Sequence, residues 1–376
     1  MDLSFNEQQR ALQKTAREFL ESNCPMTQVR ELEESDLGYS TELWKQMADL
    51  QWLGITFPER YGGAEGGMLD LYVVYQAMGR TLTPSPHLAC FVAGETLLRG
   101  GNDEQRQRSL SAIAKGDLVI SPALLEPSGV YGAEGIEMAA AQSNGGFRLN
   151  GTKLLVPYAH VAGYVLCAAR TRRGDEPSDG ITLFLVDANA AGLSIEPLQN
   201  IAGYKLFALT FDNVAVPGSA VVGTVDEGWG PLSEALDRAA VLQCAEIVGA
   251  AEAVLEMVVN YAKERVQFGR PIGQYQAVQY LCSDIAIDMH LTSLLSKQAA
   301  WRIDQGLPFQ EEAAIANAYA SKAVQHLVHQ GQEVHAGVAF MLEHDMQMYT
   351  RRAKHWQLNL GDSRYHHEAL AVAMEL

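Results

Sequence analysis

Cysteines are few in this sequence, and no two of them lie close together in it. Its 376 residues include five, far apart and outside any C-x-x-C motif: Cys24, Cys90, Cys167, Cys244 and Cys282. Disulfide frameworks and structural zinc sites need paired or clustered cysteines, so both are disfavoured. A reducing, cytoplasmic environment is the simplest prediction.

Basic residues and long apolar runs are also scarce. The 28 Lys and Arg are outnumbered by 45 Asp and Glu, which gives a formal net charge of -17. Such a surface repels phosphate backbones and disfavours nucleic-acid partners. No apolar run is long enough to cross a bilayer, and the N-terminus lacks the basic and apolar regions of a signal peptide. Neither a membrane span nor a signal peptide is therefore predicted.

Three histidines near the C-terminal end raise the question of a metal site. His326 and His329 share a helix face, and His335 follows them. No carboxylate or cysteine completes a ligand set at the usual spacing, so no metal is predicted.

Proline is rare too, at 13 residues, whereas hydrophobic residues make up 48%. This composition excludes a disordered or fibrous chain, and the length fits two or three modules. The first module is predicted to be helical. Its first helix is capped by Ser4 with Glu7 three residues on, and it ends at Cys24-Pro25.

The middle third changes to the two-residue period of strands. Residues 147–156 alternate around Asn150-Gly151, which predicts a hairpin turn at that dipeptide. Residues 164–169 and 181–186 are short apolar runs of the kind found in buried strands. Strands at this spacing without intervening helices predict a small antiparallel barrel or sandwich.

The last third returns to long helical patterns over residues 231–265, 272–305, 311–331 and 345–360. The sequence therefore predicts an α+β protein with three domains. They are an N-terminal helical domain (1–116), a central antiparallel β-barrel or sandwich (117–224) and a C-terminal four-helix bundle (225–376).

Several ordered motifs resemble the acyl-CoA dehydrogenase family over nearly the whole chain. They are Trp52-Leu53-Gly54-Ile55, Pro58-Glu59-Arg60-Tyr61-Gly62-Gly63, the run from Leu209 to Pro217, and Tyr261 to Ile272 followed by Gln276 and Gln279. The resemblance implies an FAD-dependent enzyme that oxidises an acyl-CoA thioester to its 2,3-enoyl form. A carboxylate takes the α-proton in that reaction, and hydride passes from Cβ to the flavin. An electron-transferring flavoprotein is the implied electron acceptor.

The resemblance also implies an FAD site between two subunits. The ring side departs from the family pattern, because Leu125 replaces the usual Thr, Leu155 replaces an aromatic residue and Pro157 replaces a hydroxyl residue. Proline offers neither a hydroxyl nor a backbone N–H. Three altered contacts, at about 1 kcal/mol for each hydrogen bond, predict weak ring binding by this chain.

The pyrophosphate side is better matched. Arg265 has the fork geometry that suits phosphate, and Phe268 is expected near the adenine, with Gln276 in the same motif. In the later glycine motif, Glu333 stands where the family has Gln, followed by Gly337.

Both family positions for the catalytic Glu lack a carboxylate. One corresponds to Leu360 and the other, counted back from Arg265 without gaps, to Ala239. Asp237 lies two residues earlier, about 200° around a helix, and becomes a candidate base if the helix register is shifted.

Three hypotheses follow. The leading one is a subunit of a hetero-oligomeric acyl-CoA dehydrogenase that donates the pyrophosphate half-site to a related partner. The resemblance supports it, because some bacterial members of the family work as such two-gene complexes on bulky CoA thioesters, including steroid side chains. The second is a homo-oligomeric enzyme with Asp237 as the base, and the third is a flavin-free scaffold or CoA-ester-binding subunit.

Overall fold

The first region of the chain is helical. The computed structural model describes residues 3–375. Within them the N-terminal region comprises α1 (Glu7–Asn23), α2 (Met26–Glu34), α3 (Thr41–Asp49), α4 (Met68–Thr81), α5 (His87–Gly100) and α6 (Asp103–Ala114). The predicted cap at Ser4 is wrong. Asn6 caps α1 by accepting a hydrogen bond from the Gln9 backbone N–H at 2.8 Å, while the Gln9 side chain accepts from the Asn6 N–H at 3.1 Å. The predicted end at Cys24-Pro25 is confirmed.

The middle region forms one mostly antiparallel sheet. Its strands are β1 (Ile120–Ala123), β2 (Ala139–Ser143), β3 (Gly146–Pro157), β4 (Tyr164–Arg170), β5 (Ile181–Asp187), β6 (Leu193–Leu198), β7 (Leu206–Pro217) and β8 (Val221–Val222). Their order is β6-β7-β3-β2-β4-β5-β8, with β1 beside β4. The pairings of β4 with β1 and β2 are parallel. The sheet has two ends and does not close into a barrel. The predicted fold class, a mostly antiparallel β domain between two helical regions, is confirmed.

Strand β4 shows why the apolar runs became strands. Leu166 and Ala168 belong to the large core shared with the helices. Val165, Cys167 and Ala169 belong to a second core inside the β domain. Because alternate side chains point to opposite faces and both faces are covered, the strand carries no polar alternation.

The predicted hairpin at Asn150-Gly151 is wrong. β3 runs through this dipeptide, and its register against β7 shifts between Leu149 and Gly151. The turn instead lies at Asn144-Gly145, where Ser143 pairs with Gly146 and Gly145 has a φ of +76°. Both dipeptides carry the same local signal, and only the long partner strand distinguishes them.

The last region is a helical bundle. It comprises α7 (Trp229–Glu264), the short strands β9 (Val266–Gln267) and β10 (Arg270–Pro271), and then α8 (Gln276–Asp304), α9 (Gln310–His335), α10 (Met346–Leu358) and α11 (Ser363–Ala373). The four predicted helices are confirmed, and α11 was not predicted. Asp362 caps α11 by accepting from the Tyr365 N–H at 2.9 Å. Across residues 3–375, every helix is too short or too polar to span a membrane.

Helices α4 and α7 pack with their backbones almost in contact. A Cβ atom at Gly79 would lie 1.9 Å from the Glu246 carbonyl oxygen, and one at Gly249 would lie 1.8 Å from the Gln76 carbonyl oxygen. Glycine at both positions is therefore a steric requirement. This contact fixes the N-terminal region against the bundle beside the cavity described next.

Candidate active site

A cavity of about 400 Å³ lies where the three regions meet. Helices α4 and α5 and the link between them form one wall, loops of the β domain form the second, and α7, α10, α11 and their connection form the third. Its walls are largely apolar and include Met78, Leu88, Val92, Leu125, Ile136, Pro157, Trp229, Leu236, Ala240 and Leu360. Such a cavity suits a mainly hydrophobic ligand.

Asp237 lies in the wall of this cavity. Burial, and to a smaller extent the nearby Glu234, raise the pKa of its carboxyl from 3.8 to about 7 against the opposing effect of Arg238. On the same helix Ala239 belongs to the protein core. The face of α7 that meets the cavity therefore carries Asp237, and Ala239, the position reached by counting without gaps, points elsewhere.

Leu360 also lines the cavity, as part of the connection between α10 and α11. This connection is fixed to α7. The Asn359 side-chain amide donates to Gln243 Oε1 at 2.7 Å, and Gln243 Nε2 donates to the Asn359 carbonyl at 3.2 Å. Leu360 itself has a φ of +59°, which is uncommon for a branched residue. The structure thus brings Asp237 and Leu360 to one cavity.

The three residues expected on the ring side of the flavin line the same cavity: Leu125, Leu155 and Pro157. Leu155 is 48% exposed and has a φ of +55°. The segment that carries Leu125 is anchored by the buried Lys153, whose Nζ lies 2.6 Å from Glu126 Oε1 and donates to the Leu124 carbonyl at 3.1 Å. Glu126 is therefore a structural residue that holds this wall in place.

The residues predicted to bind pyrophosphate and adenine lie elsewhere, on the outside of the bundle. Arg265, Phe268, Gln276, Glu333 and Gly337 are all exposed, and none of them lines the cavity. Phe268, in the turn between β9 and β10, is 94% exposed with a φ of +53°.

Ring stacking places the C-terminal ends of α7 and α9 side by side. The rings of Tyr261 and His335 are stacked, with their centres 4.5 Å apart. Arg265 follows the end of α7 directly, and the segment from Glu333 to Gly337 contains the last three residues of α9 and the two that follow it. The predicted nucleotide-binding residues therefore occupy a common end of the bundle.

The sequence analysis missed a second carboxyl group in the cavity wall, that of Glu246 on α7. Trp356 Nε1 donates to Glu246 Oε2 at 3.0 Å. Burial raises the pKa of Glu246 to about 7, against the opposing effects of Trp356 and Arg352. The available signal was a single charged residue within the largely apolar run of residues 239–251.

The three histidines considered above do not form a metal site in the described part of the chain. Within residues 3–375, no group of three or more His, Cys, Asp or Glu side chains is arranged to hold a metal ion. His326 Nδ1 instead lies 2.6 Å from Asp288 Oδ2, and Tyr319 donates to the other oxygen of Asp288 at 2.8 Å.

Comparison with known proteins gives the same family for all three regions. The sequence profiles of the N-terminal, middle and C-terminal domains of acyl-CoA dehydrogenase match residues 6–117, 122–214 and 226–374. The chain is 29% identical to acryloyl-CoA reductase (NADH) of Anaerotignum propionicum, over 99% of this chain and 95% of that protein.

Solved structures agree. A chain of the ChsE4-ChsE5 complex from Mycobacterium tuberculosis is 28% identical with a TM-score of 0.90, covering 100% of this chain and 99% of that one. A chain of a variant of the Tcur3481-Tcur3483 steroid ACAD is 29% identical with a TM-score of 0.88, covering 98% of each chain. The profiles, the relative and the structures cover nearly every residue, and the protein is a member of the acyl-CoA dehydrogenase family.

Proposed function

We propose that this chain is a subunit of an oligomeric, FAD-dependent enzyme that oxidises an acyl-CoA thioester to its 2,3-enoyl form, and that Asp237 takes the α-proton. The observation that carries the proposal is the position of Asp237 in the three-sided cavity beside Leu360, the residue at a family Glu position. Bound FAD would supply the hydride acceptor, which no side chain can replace.

The lining of the cavity matches the flavin ring in shape, but it offers few side-chain hydrogen bonds to the ring. The cavity offers about 400 Å³ and apolar walls, which suit a flat aromatic ring. Leu125 and Pro157 offer no side-chain donor or acceptor. Backbone groups and the neighbouring subunit would have to hold the polar edge of the ring.

Asp237 has the properties that a general base needs. A base works best when its pKa lies near the working pH, and the pKa of Asp237 is about 7. The apolar cavity keeps water from competing for the carboxylate. Its raised pKa also strengthens its attraction for the weakly acidic α-proton of a thioester.

The exposed group at the end of the bundle would serve a neighbouring subunit. Arg265 would pair with the pyrophosphate and Phe268 would cover the adenine of an FAD whose ring lies in the neighbour's own cavity. Gln276 and the segment from Glu333 to Gly337 lie at the same end and would line the same half-site. Because Glu333 brings a negative charge, its side chain would have to face away from the phosphates.

We propose a related, non-identical chain as that neighbour. The altered contacts at Leu125, Leu155 and Pro157 support this assignment, since a partner with an intact ring site would hold its own flavin firmly and take its pyrophosphate contacts from this chain. Two similar solved structures are described as a ChsE4-ChsE5 complex and a Tcur3481-Tcur3483 steroid ACAD. An electron-transferring flavoprotein remains the proposed electron acceptor, and a bulky CoA thioester the proposed substrate.

The first experiment is purification of the chain alone and together with each candidate partner, with visible absorbance and mass in solution measured. Flavin that appears only with a partner supports the hetero-oligomer. A yellow homo-oligomer would refute that part and favour the homo-oligomeric enzyme. A protein that stays colourless with every partner would refute the flavoenzyme and favour a CoA-ester-binding subunit.

Two variants then separate cofactor binding from proton abstraction. Arg265→Ala should lose FAD while its melting temperature without flavin stays unchanged, since the side chain is exposed. Asp237→Asn should keep FAD. Reduction of that FAD by acyl-CoA should be at least 100-fold slower than in the wild type, because a general base typically contributes a factor of about 100 to 10,000 to the rate. Asp212→Asn, an exposed residue of β7, is the matched control. Flavin reduction by Asp237→Asn at the unaltered rate would exclude Asp237 as the base.

A further inference from the structure

The wall of the cavity carries polar side chains other than that of Asp237. We group six of its lining residues as the polar arm: Met78, Thr83, Tyr158, Tyr204, Glu246 and His355. Asp237 and Glu246 are nine residues apart on α7, which corresponds to roughly 13 Å of helix rise and opposite sides of the helix. The two carboxyl groups therefore cannot serve the same reacting atom.

One carboxyl oxygen of Glu246 accepts a hydrogen bond, and the other is free to accept one. Oε2 accepts the hydrogen bond from Trp356 Nε1. No group among residues 3–375 donates to Oε1, although the carboxyl lies in the cavity wall. An apolar ligand at this position would leave a polar atom without a partner in a dry site, which is unfavourable.

His355 presents a second available polar group. Its ring lies against that of Tyr204, with the centres 4.2 Å apart, and neither ring nitrogen has a hydrogen-bonding partner in the described part of the chain. Burial, with the positive charge of Arg352, lowers the pKa of His355 to about 3. The imidazole is therefore neutral at physiological pH and can donate from one nitrogen and accept at the other.

The positive charge nearby lies outside the cavity wall. Arg352 is 1% exposed and is not among the residues that line the cavity. Its Nη2 donates to Glu33 Oε1 at 2.8 Å, and its Nε and Nη1 are buried without a hydrogen-bonding partner within residues 3–375. Its guanidinium carbon lies 4.0 Å from the centre of the Tyr204 ring. The raised pKa of Glu246 adds a carboxyl group that is largely protonated below neutral pH. The arm thus suits a neutral oxygen function better than a carboxylate.

We propose that this arm binds a hydroxyl or keto oxygen on the distal part of the acyl group, with Glu246 and His355 as its hydrogen-bonding partners. The proposal rests on the acyl-CoA function above and narrows its substrate class to acyl groups oxygenated away from the thioester. Glu246 is then a specificity-determining residue, separate from the base.

The test is a binding comparison on the purified complex, without oxygen or an electron acceptor. Isothermal titration calorimetry is performed with a medium-chain acyl-CoA and with derivatives that carry one hydroxyl or keto group at successive carbons of the distal half. For one position of the hydroxyl or keto group along the acyl chain, the derivative should bind about tenfold more tightly than the unsubstituted thioester. A tenfold ratio of dissociation constants corresponds to about 1.4 kcal/mol of binding free energy.

Three variants assign the effect. Glu246→Leu should reduce the preference to less than twofold by weakening binding of the oxygenated thioester, while binding of the parent is kept. Glu246→Gln retains hydrogen-bonding atoms and should keep most of the preference. Met78→Leu, an apolar change in the same arm, should leave it unaltered.

The outcomes distinguish the two proposals. If parent and derivatives bind equally, and Glu246→Leu has no effect on either, the polar arm is not a substrate site although the acyl-CoA function stands. If no acyl-CoA binds at all, the proposed function itself is wrong.

Discussion

Replacing Asp237 with Asn should stabilise the protein in a strongly pH-dependent way. The pKa of this carboxyl is 3.8 in a model compound and about 7 in the folded protein, chiefly because of burial. Between these values the folded state retains a proton that the unfolded state has lost. The free energy of unfolding therefore falls as pH rises from about 4 to about 7 and stays constant above that range.

The size of the effect follows from the shift. A difference of about three units, at 1.36 kcal/mol per unit, costs about 4 kcal/mol of stability at pH 8. The cost is about 2 kcal/mol near pH 5, where the unfolded carboxyl is ionised and the folded one is not. Asn keeps the shape and has no charge to bury. For a chain of this length 1 kcal/mol corresponds to about 1.3 °C, so Asp237→Asn should melt about 5 °C above the wild type at pH 8 and about 2 °C above it at pH 5.

The assay is thermal unfolding by circular dichroism at several pH values, on wild type, Asp237→Asn and the control Asp212→Asn. The same group should govern catalysis if it is the base, so turnover should rise with pH through about 7. A melting-temperature difference that stays constant from pH 5 to pH 8 would show that Asp237 ionises normally. Asp237 would then lack the raised pKa that suits it to act as the base.

Two further changes test the walls of the cavity. Lys153→Met should lower the melting temperature by several degrees because the buried Glu126 loses its cationic partner and keeps only backbone N–H donors, those of Glu137 and Met138, a loss of about 3–5 kcal/mol. Adding Glu126→Gln to Lys153→Met should recover most of the lost stability. Equal melting temperatures for the single and the double variant would contradict a stabilising ion pair between Lys153 and Glu126. Gly79→Ala should destabilise the protein because its Cβ would meet the Glu246 carbonyl at 1.9 Å. Gly230→Ala, with open space around it, should change the melting temperature by less than about 1 °C, and similar losses for both would argue against the close helix contact.

The fold was predictable where one local pattern extends over many residues. The long helices of the bundle are one example, because periodicity over ten or more residues averages out local exceptions. The apolar runs of β4 and β5 are another, because strands buried on both faces are apolar at almost every position. Short elements depend on single contacts. α11 begins at one cap by Asp362, and the position of the hairpin depends on β7, more than fifty residues further along the chain. Neither relation is visible in a window of a few residues.

The residues of the candidate site also fall into those that the sequence predicted and those that it did not. The altered positions Leu125, Leu155 and Pro157 were identified from motif order, and the structure places all three in one cavity. The face of α7 could not be predicted, since it depends on how the helix is oriented against the β domain and the connection after α10. Counting without gaps gives Ala239, whereas Asp237 faces the cavity. Glu246 escaped notice because burial of an isolated carboxyl is decided by tertiary packing.

The separation of the two groups of residues has a consequence for assembly. The cavity lies inside one chain, whereas Arg265 and Phe268 lie exposed at the end of the bundle, and neither lines that cavity. If both groups bind one FAD, they must come from different chains, because a single chain cannot bring its exposed end to its own cavity without unfolding the bundle. FAD content should then fall with dilution in step with dissociation of the oligomer. Flavin that remains bound to a monomer would show that the exposed group has another role.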